Sequence, residues 1–406
     1  MKQVVLEKKK SIRTRISLCL ERSLLRYLSA RAKKRRPRRK CGKILVVRTD
    51  GLGDYILWLS VEQKIRELYK DKRMELLFDK RKPTPQLARY DCAADSLLSV
   101  HIVTWKRFLS VLRMYRRSYD VIIQPIYSRL AFTDLLVFAA KASERVTIDS
   151  NGQFFASRAE WEWSDRGYDR ILPCQKGTRH ELVRCAELAR GLGVKNCLAS
   201  LPDMSGILLP QVPELPDGTG RSYFMVFPSA SWKGKVWESE KFAAVVQWML
   251  ETFDGVVYLC GDTQDVPVCD RIVRQVRPAG RKRLSVLAGR LNLAQLARMI
   301  QKAALVFGND TGAVHLAAAY RVKAAAVVAE REIGRFFPYE TQYPQQAAAF
   351  PVCVHQQGIS CSGCLLRGEP VCRYRKHVTE TVRCISSIQA EDVILVLRDL
   401  FMRIQT

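Results

Sequence analysis

The fold is decided by "KILVVRTDGLGDYILWLSVEQKIRELYK", residues 43–70, which changes its hydrophobic period halfway along. Its first five residues form an apolar, β-branched block, typical of a buried strand of a parallel sheet. After Gly51 and Gly53 the apolar residues recur at helical spacing, so we predict a tight turn on these glycines and a helix beginning near Asp54. Such a turn usually binds phosphate, because the N-terminus of a helix favours anions. An aspartate there would repel a phosphate and therefore indicates a different role.

The composition is typical of a globular protein. The chain has 406 residues, of which 48% are hydrophobic and 26% charged, and this length favours two domains. No run of about 18 apolar residues predicts a transmembrane helix, and the N-terminus lacks the apolar core of a signal peptide. We therefore expect a cytoplasmic location, where the 13 cysteines would be thiols or metal ligands rather than disulfides.

The chain divides into two series of alternating strand-like and helix-like runs. This alternation predicts an α/β fold of two doubly wound, Rossmann-like domains that face a cleft, where strand ends and helix N-termini converge. A segment rich in proline and glycine separates the two series and is interpreted as a linker. The predicted units are a basic segment at 1–42, a first domain at 43–205, the linker at 206–222 and a second domain at 223–406.

The N-terminal segment carries much of the net charge of +27. Residues 1–40 contain 16 Lys or Arg and two Glu, a net charge of +14. The residues Ile12, Ile16, Leu20, Leu24 and Leu28 are spaced four apart, which predicts a basic amphipathic helix. Such a helix can lie on an anionic membrane surface. The alternatives are a helix that docks on the body of the protein and a basic run that binds nucleic acid; without a recognisable nucleic-acid module, we expect no nucleic-acid partner.

Two loops of the second domain carry residues suited to an anion. In "FPSASWKGKVW" (227–237), Ser229 and Ser231 offer hydroxyl donors while Lys233 and Lys235 offer positive charge, between a strand end and a helix start. This pattern suits an oxyanion such as a diphosphate, although a solvated loop with surface lysines is the alternative.

The second of these loops, "VFGNDTGAVHLAAAY" (306–320), again ends a strand and enters a helix. Its turn contains Asn309, Asp310, Thr311 and Gly312, and backbone N–H groups around the last two would point into the cleft. His315 falls one turn into the helix. A single histidine there is either structural or part of the site, and its place next to Asp-Thr-Gly favours the site.

Together these stretches resemble glycosyltransferase family 9, the lipopolysaccharide heptosyltransferase family. Its members have a strand followed by a Gly-Asp turn, matched by "RTDGLGDYI", and a Gly/Ser-rich loop followed by Lys-x-Trp, matched by "SASWKGKVW". Their most specific motif, Asn-Asp-Ser/Thr-Gly-x-x-His-Leu-Ala-Ala, is matched by "NDTGAVHLAAA". The resemblance runs in order from about Lys43 to the C-terminus.

The resemblance implies a GT-B enzyme that transfers a sugar with inversion from a nucleotide donor, commonly ADP-heptose. In this family the acid of the Gly-Asp turn is the general base, a role that falls on Asp54, with Asp50 as a second candidate. Lys235 resembles the phosphate-binding lysine, with Ser229 and Ser231 as auxiliary donors. The loop that holds the diphosphate and sugar is matched by Asp310, Thr311, Gly312 and His315.

Two features qualify this assignment. No Asp-x-Asp metal clamp is evident, so no catalytic metal is expected. The loop "GDTQD" (261–265) stands where relatives often have a Gly-x-x-Glu element near the nucleotide ribose; Asp262 or Asp265 can substitute for it.

A cysteine-rich insert lies at 353–384. Cys361, Cys364, Cys372 and Cys384 have the spacing C-x2-C-x7-C-x11-C, which can supply four thiolates to one structural metal, zinc or iron. Several members of the family carry a similar cluster, and in protein-modifying relatives it resembles an iron-binding finger. The alternative is a set of reduced thiols in a surface loop.

The acceptor is the least defined partner. We expect a glycolipid such as the lipopolysaccharide core, reached by an enzyme peripheral to the inner membrane through residues 1–40. Protein-modifying relatives carry an extra N-terminal β domain, whereas here a short basic helix precedes the first strand. The alternatives are a protein acceptor of the autotransporter type and a non-catalytic nucleotide-sugar-binding protein of the same fold.

Overall fold

The computed structural model describes most of the chain. The described residues are 12–91, 93–103, 106–152, 154–174, 180–212, 221–359, 364, 372 and 381–405.

The first sheet is built from six parallel strands in the order β3-β2-β1-β4-β5-β6. The chain order reverses between β1 and β4, which pair through Ile44 and Val121, and ligands bind at this kind of switch point in doubly wound sheets. The strands are β1 (Lys43–Val47), β2 (Arg73–Asp79), β3 (Ser96–Val100), β4 (Ser118–Gln124), β5 (Lys141–Ile148) and β6 (Arg170–Leu172).

Helices cover both faces of this sheet. The apolar residues that recur every three or four positions form the inner face of each helix, as in α2, which buries Tyr55, Trp58 and Ile65. The helices are α1 (Ile12–Ala32), α2 (Leu52–Leu68), α3 (Thr84–Ala88), α4 (Arg107–Tyr115), α5 (Ala131–Ala139), α6 (Arg158–Arg166) and α7 (Glu181–Leu192).

The second sheet repeats the topology, with six parallel strands in the order β12-β11-β10-β7-β8-β9. Its switch point lies between β7 and β10. The elements are β7 (Tyr223–Phe227), α8 (Ser239–Thr252), β8 (Val256–Leu259), α9 (Val266–Gln275), β9 (Leu284–Val286), α10 (Leu293–Lys302), β10 (Leu305–Asn309), α11 (Gly312–Ala319), β11 (Ala324–Val327), β12 (Val352–Val354), α12 (Arg383–Ser386) and α13 (Ala390–Gln405). The predicted pair of doubly wound sheets is confirmed.

The two sheets share one apolar core. A continuous cluster of buried side chains includes residues of α2 and α7 from the first domain and of α10 and α11 from the second. Two further clusters cover the outer faces, one beneath α1, α4 and α5 and one beneath α8, α9 and α13. Burial of apolar surface between the sheets therefore holds the two switch points towards each other.

The N-terminal helix α1 docks on the first domain, which is the alternative to a membrane-surface helix that the sequence analysis named. Leu25, Leu28 and Ala32 are buried in the outer cluster with α4 and α5. Glu21 on the same face pairs with Arg107 of α4, whose Nη1 lies 2.8 Å from Glu21 Oε2. The predicted stripe is wrong at Leu20, which is exposed, because the docked face follows positions 21, 25, 28 and 32. Among the described residues, no helix is long and apolar enough to cross a membrane.

Candidate active site

Asp54 lies in the first turn of α2, directly after the switch-point strand β1. Its Oδ2 accepts a hydrogen bond from the backbone N–H of Gly51 at 3.2 Å. Its Oδ1 accepts one from Arg335 Nη2 at 3.1 Å. The carboxylate thus caps its own helix and also faces a cation from the second domain, which is a physical reason for an acid at this helix N-terminus.

The turn that contains Gly53 in the first domain contacts the turn that contains Gly312 in the second domain. A Cβ added at Gly53 would lie 2.6 Å from the Cδ2 atom of His315, and one at Gly312 would lie 2.6 Å from Leu52 Cδ2. Real side chains do not tolerate such distances, so only glycine permits α2 and α11 to approach this closely. The close approach brings the Asp54 turn next to the Asn-Asp-Thr-Gly loop.

Arg335 connects Asp54 to a second buried acid of the first domain. Its Nε lies 3.6 Å from Glu181 Oε2, at the start of α7. Burial raises the pKa of Asp54 above its ordinary value, and Arg335 opposes this shift. Glu181 responds in the other direction: burial alone would raise its pKa, but Arg335 and Arg184 hold it below its usual range. Asp54 is therefore the better proton acceptor of the two.

Asp50, the second candidate base, has a different partner. Its Oδ2 lies 2.7 Å from Arg48 Nη2, and both side chains are nearly inaccessible. Burial raises the pKa of Asp50 to about 7, with Arg48 opposing the shift and Asp54 adding to it. Asp50 is thus paired within its own loop rather than with the second domain.

Lys235 lies in a short 3₁₀ helix, Lys233–Lys235, after β7. Its Nζ lies 2.6 Å from Asp310 Oδ2 and 3.1 Å from Glu332 Oε1. Burial would lower its pKa, but the two carboxylates raise it above the ordinary value, so the ammonium stays charged. This fixed cation lies between the carboxyl ends of β7, β10 and β11.

Asp310 and His315 form the other side of the same cluster. His315 Nε2 lies 3.6 Å from Asp310 Oδ1, and His315 Nδ1 contacts the hydroxyl of Tyr339. Burial would raise the pKa of Asp310, yet Lys235 and His315 hold it well below its usual range. His315 is therefore both buried and joined to the acidic cluster, so the structural and site interpretations apply together.

The N-terminus of α11 offers polar groups that the protein itself leaves unused. Thr311 is its N-cap residue and Gly312 its first residue. Thr311 Oγ1 and Asn309 Nδ2 are buried, and neither has a hydrogen-bond partner among the residues described. Unpaired buried donors are costly, and they are retained where a ligand supplies the missing partner.

The two predicted serines lie at different depths. Ser229 is half-buried, and its side chain hydrogen-bonds to Asp265 of the loop after β8 and lowers the pKa of that carboxyl, although burial raises it overall. Ser231 is exposed. The structure thus joins the Ser229 loop to the "GDTQD" loop, whereas Ser231 lies at the surface.

The cysteine cluster is only partly described. Cys361 lies outside the described residues, while Cys364 and Cys372 are half-buried. Cys384 of α12 is buried in the outer apolar cluster of the second domain. Within the described ranges, no group of three or more His, Cys, Asp or Glu side chains is arranged to hold a metal. A structural zinc or iron stays a prediction.

Sequence reasoning missed the loop after β11, which links both halves of the site. Glu332 contacts Lys235, while Arg335 contacts Asp54 and Glu181. The signal was present in "AEREIGR", a charged run directly after the apolar strand "AAAVV". His180 was also missed: its Nε2–H donates to the carbonyl of Phe336 at 2.7 Å and fastens this loop to α7.

Comparison with known proteins agrees with the motifs. Residues 209–361 match the model of glycosyltransferase family 9 (heptosyltransferase), so the resemblance to this family is confirmed. A stretch of 105 residues is 30% identical to lipopolysaccharide heptosyltransferase 3 of Escherichia coli K12. This match covers 26% of the present chain and 30% of the length of that curated relative.

Solved structures share the fold over nearly the whole chain. A glycosyltransferase family 9 protein from Veillonella parvula has a TM-score of 0.64 at 18% identity, covering 91% of this chain and 99% of that one. An E. coli heptosyltransferase, WaaC, solved with ADP-2-deoxy-2-fluoro heptose, has a TM-score of 0.58 at 16% identity, with coverages of 88% and 99%. The GT-B arrangement of two Rossmann-like domains is thereby confirmed.

Proposed function

We propose that the protein is an inverting glycosyltransferase that moves heptose from ADP-heptose to the lipopolysaccharide core or a related cell-surface glycan. One observation carries the proposal: a carboxylate with a raised pKa, Asp54, lies at the domain junction next to the cluster formed by Lys235, Asp310 and His315. The match to the heptosyltransferase family model over residues 209–361 supports the same activity.

In the proposed reaction Asp54 takes the proton of the attacking acceptor hydroxyl. The acceptor oxygen bonds to the anomeric carbon while the bond from that carbon to the diphosphate breaks. A single displacement of this kind inverts the configuration, and ADP leaves with the electron pair. Because burial raises its pKa, Asp54 is a stronger base than an ordinary aspartate.

The second domain supplies the positive potential that a leaving diphosphate requires. Lys235 provides a charged ammonium, and the start of α11 provides the positive end of the helix dipole together with the unpaired Thr311 Oγ1 and Asn309 Nδ2. Lys235 is neutralised by Asp310 and Glu332 in the structure. A donor diphosphate therefore has to compete with these carboxylates, which favours a doubly charged group over a neutral sugar.

The proposed donor is taken from a solved structure of similar fold whose bound ligand is known. The E. coli protein solved with ADP-2-deoxy-2-fluoro heptose shares the fold, and we extend an ADP-linked heptose to this chain as part of the proposal. The acceptor is proposed to lie in the inner membrane, with the enzyme peripheral on its cytoplasmic side. The exposed basic residues Lys33, Lys34, Arg38, Arg39 and Lys40 after α1 support contact with an anionic surface.

The decisive test is thermal shift of the purified protein with nucleotide sugars, followed by transfer assays with the one that stabilises it. ADP-heptose is expected to raise the melting temperature through mass action. Lys235→Met is expected to remove that shift, while Lys302→Met, a lysine of α10 outside the cluster, is expected to retain it. A shift only with UDP- or GDP-sugars would reassign the donor. No shift with any donor would favour the non-catalytic alternative.

A further inference from the structure

The outward face of α4 is unusual for a helix in contact with water. Ser110, Val111 and Met114 on its inner face are buried against the first domain. On the opposite face Leu109 and Leu112 have 56% and 61% of their surface exposed. A surface helix normally places polar residues outside, so two exposed leucines one turn apart form an apolar patch on this face that a partner could cover.

Positive charge surrounds these leucines. Arg113 and Arg116 are exposed and follow Leu109 and Leu112, respectively, by four residues, and therefore lie on the same side of the helix. Between Asp95 and Asp120 the chain has five Lys or Arg and no acidic residue. The surface formed by Leu109, Leu112, Arg113 and Arg116, here called the α4 surface, thus combines two exposed leucines with two exposed arginines.

Helix α4 contacts the basic N-terminal segment at both of its ends, once through α1 and once through Arg35, which follows α1. At one end Arg107 bonds Ser17 and pairs with Glu21 of α1. At the other end the guanidinium of Arg35 lies 3.9 Å above the ring of Tyr115. The N-terminal segment and α4 therefore form one basic unit on the outer side of the first domain.

The position of α4 relates this unit to the proposed base. The helix follows β3, so its first residue lies towards the carboxyl edge of the first sheet, the edge that also carries Asp54. Val103, in the connection between β3 and α4, is exposed at this edge as well. A partner on the α4 surface would therefore lie on the outer side of the first domain, with Leu109 nearer than Arg116 to the edge that carries Asp54.

We propose that the α4 surface docks on an anionic lipid bilayer, with Leu109 and Leu112 inserted among the acyl chains and Arg113 and Arg116 at the headgroups. Charge complementarity selects this occupant: leucines ringed by arginines match the boundary between acyl chains and anionic headgroups. The inference rests on the proposed function, because docking would place the first domain on the membrane that holds the proposed acceptor.

Sedimentation with vesicles tests the docking directly. The full chain is expected to bind vesicles of phosphatidylglycerol and phosphatidylcholine but not vesicles of phosphatidylcholine alone. The double variant Leu109→Ser/Leu112→Ser is expected to bind at least about tenfold more weakly, since the inserted apolar surface is lost. Leu395→Ser, at a leucine of α13 that is 51% exposed in the second domain, is the matched control and is expected to bind like the unaltered chain.

The charged part of the surface gives a second readout. Arg113→Ser/Arg116→Ser is expected to weaken binding at low salt and to flatten its dependence on salt concentration. Circular dichroism and melting temperature verify that all variants are folded.

Three results would overturn the proposal. They are equal binding to anionic and neutral vesicles, unchanged binding of the leucine double variant, and a dimer in light scattering that this variant converts to a monomer, which would assign the face to a second copy of the chain. The thermal shift with ADP-heptose separates this inference from the proposed function. A variant that keeps the thermal shift with ADP-heptose but no longer binds vesicles has lost only the docking. A chain that binds vesicles but shows no thermal shift with any donor would contradict the enzymatic proposal alone.

Discussion

Arg335 Nη2 of the second domain lies 3.1 Å from Asp54 Oδ1 of the first domain, and the Nε of the same guanidinium lies 3.6 Å from Glu181 Oε2. A single buried cation thus joins the proposed base to the opposite domain. Because the loop that carries Arg335 also carries Glu332, the partner of Lys235, base and donor cluster are held by one segment. Their relative position consequently depends on how the two domains meet.

Asp54→Asn is expected to lower the transfer rate by about 10²–10⁴-fold, the usual contribution of a general base. An amide cannot accept the proton of the acceptor hydroxyl, while its size preserves the cap on α2. Affinity for ADP, measured by calorimetry, is expected to change little because the diphosphate cluster is intact. Turnover at the rate of the unaltered chain would mean that another group, such as Asp50, is the base.

Arg335→Met is expected to move the acid limb of kcat/KM towards higher pH by about one to two units. Burial already raises the pKa of Asp54 and Arg335 opposes it, so loss of the cation raises this pKa further and the base is protonated over a wider range. The other charged groups that act on Asp54, namely Glu181, Arg48, Asp50 and His315, stay in place. The measurement is a pH profile of transfer under subsaturating conditions.

Arg331→Met is the matched control for that experiment. Arg331 belongs to the same loop, but its Nε lies 3.2 Å from Glu332 rather than beside Asp54. The acid limb of the kcat/KM profile of this variant is expected to lie within a few tenths of a pH unit of that of the unaltered chain. Arg335→Lys, which keeps the charge, is expected to restore part of the profile. An identical shift in both methionine variants would contradict a specific effect on Asp54.

Asp50→Asn is expected to change how stability depends on pH. The folded-state pKa of Asp50 is about 7, well above the unfolded value near 3.9. Its contribution to stability is therefore fully present below about pH 4 and is lost as the pH rises through 7. Between pH 5 and pH 8 the free energy of unfolding of the unaltered chain is expected to fall by about 1–3 kcal/mol relative to the variant. Urea unfolding at the two pH values measures this, and a constant difference would contradict it.

Gly53→Ala is expected to destabilise the protein by about 1–3 kcal/mol and to weaken donor binding. The added Cβ would lie 2.6 Å from His315 Cδ2, so α2 and α11 would have to separate. Gly206→Ala is the control, because its Cβ meets nothing within 4 Å, and it is expected to leave stability unchanged or slightly raised. Thermal unfolding with and without ADP compares the two. Similar behaviour of both variants would mean that the domains do not approach this closely in solution.

Leu25→Ala is expected to cost about 2–5 kcal/mol, since Leu25 of α1 is fully buried against the first domain. Leu20→Ala on the exposed side of the same helix is expected to cost less than about 0.5 kcal/mol. Deletion of residues 1–40 would likewise expose the core around Leu25 and Leu28. Equal melting temperatures of the two leucine variants would contradict the docked position.

The sequence predicted those features of the site that depend on local patterns. The strand, turn and helix around Asp54, and those around Asp310, follow from hydrophobic period and glycine placement. The predicted stripe of α1 was wrong at Leu20, which is exposed, whereas Leu28 is buried and Leu24 packs against the same cluster. Ser229 and Ser231 had equal standing in the sequence, yet only the first approaches another loop.

The sequence by itself determined two doubly wound sheets, two anion-suited loops and an acid placed at a helix N-terminus, because these depend on contacts between near neighbours in the chain. Only the tertiary structure decided that Arg335 meets Asp54, that Glu332 meets Lys235 and that α1 is part of the core. The first two pairs lie 281 and 97 residues apart, and Ser17 of α1 lies 90 residues from its partner Arg107. Their pairing depends on the packing of complete domains, a property that no local spacing encodes.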